Sequence, residues 1–295
     1  MASLSFHILD VFAESKYAGN QLAVFRGGQG LSDSQMQQIA REMNFSETTF
    51  IMSEEEKKGG FDVRIFTPAE EVPFAGHPTL GTAFTIQHEI IREKIEKVVL
   101  NLKIGQIPVT FTYNGDKADI LWMRQNEPVF GKTFEIEEIA AVLGLKIEDF
   151  DIGFPIQEVS TGLPFIIAPL VNMDAVKRAR IKHDFYFELI KRIDSKAILL
   201  FSRETYDPGN NLNARMFADF YGVPEDPATG SANGCLAAYL VRHRYFGEDK
   251  IDIKVEQGYE IGRPSLLNLR ASENDHKIEV NVGGRVVMVA KGEFV

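Results

Sequence analysis

Cysteine is nearly missing from this 295-residue sequence, which has one, Cys235. That excludes any intrachain disulfide and any cysteine-based zinc cluster, and it fits a reducing cytoplasm. Long apolar runs are missing too, since none approaches the about 18 residues of a membrane span. The opening stretch, "MASLSFHILDVFAES", has no basic n-region and meets Asp10 early, so it reads as a strand rather than a signal peptide. Basic residues are outnumbered, 32 against 42 acidic, for a formal net charge of -10. This balance argues against a nucleic-acid partner held through phosphates and against docking on anionic membranes. Metal-ligand spacing is lacking among His7, His77, His88, His183, His243 and His276, so no metal is expected. The glycine-bearing "FRGGQG" and "GGRVVMVAKGE" form neither GxGxxG nor GxxxxGK[ST], so no nucleotide cofactor is expected.

What is present is an ordinary globular composition, 44% hydrophobic and 25% charged, in a chain long enough for two lobes. Short β-like runs dominate: "HILDVF", "QLAVF", "TTFIM", "FDVRIF", "KVVLNL", "IPVTFTY", "ADILWM", "PFIIAPL", "AILLFS", "ARMFADF", "IDIKVEQ" and "VVMVA". Four helices are predicted among them. "SDSQMQQIAREMN" starts at Ser32 or Ser34 as N-cap and carries Met36, Ile39, Ala40 and Met43 on one face. "PTLGTAFTIQHEII" follows His77, "EIEEIAAVLGL" ends at Gly144, and "SANGCLAAYLVRHRYF" follows Gly230. The fold class is therefore α+β.

An internal repeat organises these elements. Arg64-Ile65-Phe66 is followed by "EVPFAGH" and a small-residue helix, and Arg215-Met216-Phe217 by "EDPATGS" and another. "YAGNQLAVF" at 17–25 echoes "STGLPFIIA" at 160–168. Two pseudo-symmetric lobes are predicted, each a curved sheet wrapped around a central helix, with helix starts at Gly76 and Gly230 facing across a cleft. Their expected limits are residues 1–127, completed by about 284–295, and residues 128–283.

The stretch "FAGHPTLGTAF" puts Pro78 in a first helical turn, where a missing amide hydrogen costs nothing. The amides around Gly76 and His77 then offer an anion site at the positive end of the helix dipole. On this stretch alone, a buried turn whose histidine is satisfied by a carbonyl is an equal reading. Two facing anion sites suit a small carboxylate-bearing metabolite.

Five ordered segments, "DVFAESKYAGNQLAVF", "REMNFSETTFI", "RIFTPAEEVPFAGHPTLGTAF", "DFYGVPEDPATGSANGCLAAYL" and "EQGYEIGRPSLL", resemble the phenazine biosynthesis isomerase-like (PhzF-like) family, relatives of diaminopimelate epimerase. The resemblance spans nearly the whole chain. It implies a diaminopimelate epimerase-like fold, a homodimer, a cytoplasmic setting and a cofactor-independent isomerase that moves a proton on a carboxylate-bearing substrate. It would make Glu47 the acid/base, His77 its assistant in proton transfer and Asp226 a ligand of a substrate amino or hydroxyl group. Gly76, Gly230 and Ser231 would line the carboxylate site. A non-catalytic small-molecule binding protein that keeps the cleft is the alternative.

The epimerase relatives carry a cysteine before each helix glycine, where this chain has Ala75 and Thr229. Two-thiol chemistry is thus not expected, and a carboxylate must carry the proton. "NFSETTFI" alternates as a strand with Phe45, Glu47 and Thr49 on one side. Phe45 beside Glu47 is expected to disfavour the charged carboxylate. Cys235 lies about a turn and a half into its helix, so Cys235→Ser is expected to leave any turnover within a few-fold of the parent; selective loss of activity in the folded variant would contradict this.

Overall fold

The computed structural model describes residues 4–275 and 277–295. His276, one of the six histidines weighed above, and the first three residues lie outside the described residues. The chain divides into two compact units, Met1–Arg124 with Gly283–Val295, and Gln125–Val282.

In the first unit β1 (Leu4–Val11) runs antiparallel to β2 (Asn20–Arg26). Helix α1 (Asp33–Met43) crosses over to β3 (Glu47–Ile51), which is therefore parallel to β2. β4 (Phe61–Phe66) pairs antiparallel with β3, and the short β5 (Glu71–Val72) turns back on β4. Helix α2 (Gly76–Thr85) then leads to β6 (Lys97–Leu102), parallel to β4, and to the antiparallel β7 (Gly105–Asn114) and β8 (Lys117–Arg124). The last strand of the chain, Val286–Phe294, lies antiparallel on β1.

Sequence explains where these helices sit. Ser32 caps α1 in a reciprocal box with Gln35, and Met36 and Ala40 bury against Ala23, Phe25, Phe50 and Phe66. Helix α2 is buried almost all round, and its threonines satisfy themselves one turn back: Thr79, Thr82 and Thr85 donate to Ala75 O, Pro78 O and Gly81 O at 2.7, 2.7 and 3.1 Å. Gly81 is needed for close approach, because a Cβ there would stand 2.5 Å from Leu22 Cδ2. Where one helix was expected through Ile91, the chain widens at Ile86–Ile91 into a π turn that closes from Arg92 N to Gln87 O at 2.8 Å.

The second unit opens with β9 (Val129–Phe134), α3 (Ile136–Leu143) and β10 (Ile156–Ser160), the two strands antiparallel. β11 (Pro164–Pro169) pairs antiparallel with β10; α4 (Met173–Arg178) and α5 (His183–Ile190) cross over to a parallel β12 (Ala197–Ser202). β13 (Leu212–Ala218) is antiparallel to β12, and β14 (Val223–Asp226) turns back on it. Helix α6 (Gly230–Arg242) leads to β15 (Lys250–Gln257), parallel to β13, and to the antiparallel β16 (Ser265–Asn274). β17 (Lys277–Gly284) and β18, the Val286–Phe294 strand, complete the order. Helices α4 and α5 and strands β5, β9, β10, β14, β16 and β17 add to the elements predicted from sequence.

From β10 onward the second unit repeats the pairing pattern of β1 to β7, with α6 in the place of α2. The registers align residues one by one. Leu22 faces Glu47 as Phe165 faces Ala197, so Ala197 is the counterpart of Glu47. Ile65 faces Val72 as Met216 faces Asp226, so Val72 is the counterpart of Asp226.

An arginine recurs in both units. Arg64 in β4 grips Glu71 at 2.8 and 2.6 Å and reaches Asp33, in the first turn of α1, at 2.6 Å. Arg215 in β13 grips Glu225 at 2.9 and 2.7 Å and donates to Val176 O and Ala179 O at the end of α4, at 2.9 and 3.0 Å. Each guanidinium also lies over a phenylalanine two residues on, Phe66 or Phe217. They differ in burial, 23% side-chain exposure for Arg64 and 3% for Arg215. Removing Arg215 strands Glu225 and helix-end carbonyls away from water, so Arg215→Met is expected to cost about 3–5 kcal/mol. Arg64→Met, with solvent at hand, should cost about 1 kcal/mol. Urea unfolding of both variants checks this order, and equal losses would contradict it.

Candidate functional site

Helix α2 begins with a bare N-terminus. Its cap, Ala75, is extended and offers no capping side chain, and Pro78 has no amide hydrogen. Thr79 N already closes on Ala75 O at 3.3 Å. The amides of Gly76 and His77 are thus the first-turn donors without an intrahelical acceptor, at the positive end of the helix dipole.

The His77 ring turns back toward the strands. Its Nε2 stands 3.2 Å from Gln21 O and 3.4 Å from Glu47 Oε2. The Gln21 carbonyl can only accept, so the Nε2–H tautomer is assigned. Burial lowers the His77 pKa to about 3, against a smaller upward pull from the Gln21 carbonyl. The ring is neutral at pH 7, and its contact with Glu47 is a dipolar one rather than an ion pair.

Glu47 heads β3, one register step from Gln21. The strand is tied to α2 by Thr49, whose hydroxyl lies 2.8 Å from that of Thr82. Because Thr82 spends its hydrogen on Pro78 O, Thr49 is the donor. Phe45 does not share this face. It packs with Phe50 and Met43 under α1, because β3 starts only at Glu47 and the helix-ending Asn44, at φ 53°, resets the chain before it. The apolar wall expected beside Glu47 is therefore not Phe45.

In the second unit Asp226 ends β14 and is buried. Its carboxylate accepts the Thr229 hydroxyl. Gly230 and Ser231 open α6, Gly230 buried and Ser231 half-buried. Asn233 N is the first amide to close on the cap, at 3.0 Å from Thr229 O. Thus Glu47, Gly76 and His77 meet in the first unit, and Asp226, Gly230 and Ser231 adjoin in the second.

Gln21 and Gln257 went unassigned in the sequence reading. Gln21 acts through its backbone carbonyl, which no side-chain motif reveals. Cys235 is fully buried in α6, beside Thr161 Oγ1 at 3.7 Å, and burial pushes its thiol up to about 12, which leaves it a poor nucleophile. Among the described residues, no group of three His, Cys, Asp or Glu side chains could hold a metal ion, and no helix is long and apolar enough to cross a membrane.

Comparison with known proteins finds isomerases among the relatives of this chain. The profile of the "Phenazine biosynthesis-like protein" family matches residues 9–292. The trans-2,3-dihydro-3-hydroxyanthranilate isomerase of Pseudomonas aeruginosa is 34% identical over 288 residues, 97% of each chain. The solved structure of a PhzF-family phenazine biosynthesis protein from Bacillus anthracis superposes with a TM-score of 0.91, at 28% identity and with 100% of both chains covered. The structure of a "probable proline racemase" from Agrobacterium radiobacter, at 11% identity and a TM-score of 0.64, covers 99% of this chain and 93% of its own and shares the fold.

Burial of neutral His77 carries a pH signature. Its folded pKa is depressed to about 3 from an ordinary 6.5. Between those values the unfolded chain binds the proton more readily, so stability is fully present above pH 6.5 and falls as pH drops. The expected loss from this ring alone approaches about 1.4 kcal/mol per pH unit. His77→Gln should flatten the pH 6 to 4 slope of urea-unfolding free energy by that order, and parallel slopes would show that the ring is not held neutral.

Proposed function

The chain belongs to the phenazine biosynthesis-like protein family, and from that premise we propose a cofactor-independent isomerase that moves a proton between two carbons of a small carboxylate-bearing substrate. Glu47 is the acid/base. The reading rests on one observation: the Glu47 carboxylate faces the Nε2–H of a buried, neutral His77 at 3.4 Å.

In this mechanism Glu47 accepts a proton from a substrate carbon and returns it to another carbon. His77 does not take that proton, since its imidazolium is strongly disfavoured by burial. Its Nε2–H, donated to Gln21 O, fixes the ring edge beside Glu47 Oε2 and so orients the pair. Amides at the start of α2, beside Glu47, hold the substrate carboxylate, with Gly76 the candidate in this unit. Asp226 accepts from a substrate amino or hydroxyl group. The substrate class follows that of the relatives, of which trans-2,3-dihydro-3-hydroxyanthranilate is the named example.

A single base has a stereochemical consequence. Ala197 stands where a second copy of Glu47 would be, and no thiol stands at Ala75 or Thr229. The group that removes the proton therefore also returns it, to the same face of the substrate. Some of the label from a deuterated donor carbon should then reach the product in H2O, to the extent that the Glu47 carboxyl outlives exchange with solvent. Incubation with trans-2,3-dihydro-3-hydroxyanthranilate in D2O should place deuterium at the receiving carbon, read by NMR. Glu47→Gln should lower kcat by about 10² to 10⁴ while changing binding far less. Parent-rate turnover by Glu47→Gln would end the assignment.

A further inference from the structure

The start of α6 is wired differently from the start of α2, through a glutamine far away in sequence. Gln257 ends β15 and has no exposed surface. Its Nε2 donates to Asp226 O at 2.8 Å and to Thr229 Oγ1 at 3.1 Å. Its Oε1 accepts from Asn233 Nδ2 at 2.8 Å and from Thr229 N at 3.3 Å. Every hydrogen bond this amide makes lands on the loop and first turn that carry Asp226.

The directions of these bonds are forced. An amide nitrogen has only hydrogens to give, so Thr229 Oγ1 must accept from Gln257. The hydroxyl then has its own hydrogen for one further acceptor, and the Asp226 carboxylate takes it. Asn233 Nδ2 also donates to Thr229 O at 3.0 Å, which confirms that Gln257 presents its oxygen to Asn233 and its nitrogen to Thr229. The wire runs one way, from Gln257 through Thr229 to Asp226, and a hydroxyl donated to that carboxyl favours its accepting, charged form over the neutral one.

The first unit makes the comparison. The registers Phe61 with Leu100 and Leu212 with Val255 set Leu102 in the place of Gln257. Val72 and Ala75 replace Asp226 and Thr229. One unit thus has an apolar triplet where the other has a buried polar one. Burying an amide is costly unless all its groups are paired, so the polar set exists for something beyond starting a helix, which the apolar set does equally well.

We propose that Gln257 is a positioning residue: through the Thr229 hydroxyl it holds the Asp226 carboxyl group fixed as an acceptor for a substrate N–H or O–H. The substrate clause rests on the function proposed above; the wire does not. It can therefore be tested on the substrate-free full chain, independently of turnover.

The chain is labelled with 13C at aspartate carboxyls and 15N at glutamine side-chain amides. The Asp226 and Gln257 resonances are identified by their loss in Asp226→Asn and Gln257→Met. In the parent, the Gln257 Nε2 hydrogens should shift in step with protonation of the Asp226 carboxyl. In Gln257→Met the Asp226 midpoint should move up by half a pH unit or more, about a threefold gain in proton affinity. Thr229→Val should do the same, and Thr229→Ser, which keeps the hydroxyl, should behave as the parent. A glutamine that serves only to start α6 would lower Tm on substitution and leave the midpoint unmoved, which would overturn the proposal. Should Gln257→Met not fold, the parent decides: a Gln257 amide signal that stays flat while Asp226 titrates breaks the wire. Loss of turnover in the parent, by contrast, would count against the isomerase reading alone.

Discussion

A central helix that must begin at one defined point, with its first amides unspent, cannot be anchored by an ordinary capping side chain, because the cap would consume the donors that make the point useful. In both units the anchoring is done one step earlier, on the strand side of the loop. The Arg64 and Arg215 guanidinium groups each clamp a glutamate five residues before a helix glycine, Glu71 before Gly76 and Glu225 before Gly230. Each also ties that clamp to the crossover helix behind it. The planar fork matters, since it serves a carboxylate along one edge and a helix end along the other, which a lysine cannot do. Ala75 at the α2 cap can then be a residue with nothing to offer, and the Gly76 and His77 amides stay available.

On this duplicated frame the chemistry is laid down unevenly. Glu47 answers to Ala197, Asp226 to Val72, Gln257 to Leu102, and His77 to Ser231. Backbone pairing has been kept while the polar side chains have been assigned to one copy or the other. The division follows cost: a buried carboxylate or amide needs a full set of partners, and providing that set once is cheaper than providing it twice. Among the partners of Glu47 is His77, and among those of Asp226 are Thr229 and, behind it, Gln257.

The two-copy organisation was legible because its markers are local: Arg-x-Phe, a glutamate, a proline and a glycine in order, then small residues. Helix α1 was legible from Ser32 and the Met36, Ala40 face. Strand β17 was missed although Ile278, Val280 and Val282 alternate with polar residues, a pattern available to any reader of period two. β9 was less accessible, since "VFGKTF" is mostly exposed and carries no apolar face. Helix α4 has only six residues and owes its ends to Asn172, which accepts from Ala175 N at 2.9 Å, and to the carbonyl contacts of Arg215. Propensity alone would not have marked it. The depressed pKa of His77 and the reach of Gln257 across 31 residues to Asp226 arise only when β15 lies down beside β13 or when strands enclose α2. Such properties belong to burial and register, which no residue type announces.

The pairing of β1 with β18 gives the two units different histories during synthesis. β1 leaves the ribosome before the second unit, yet its partner, Val286–Phe294, comes after every residue of Gln125–Val282. The second unit can therefore close while the first still has an open sheet edge, with Phe6 and Phe25 waiting for Phe294 to cover them. Translation finishes the older half last. A nonsense codon anywhere within Val286–Phe294 would consequently injure the unit that carries Glu47 and His77, more than 200 residues from where those residues are encoded.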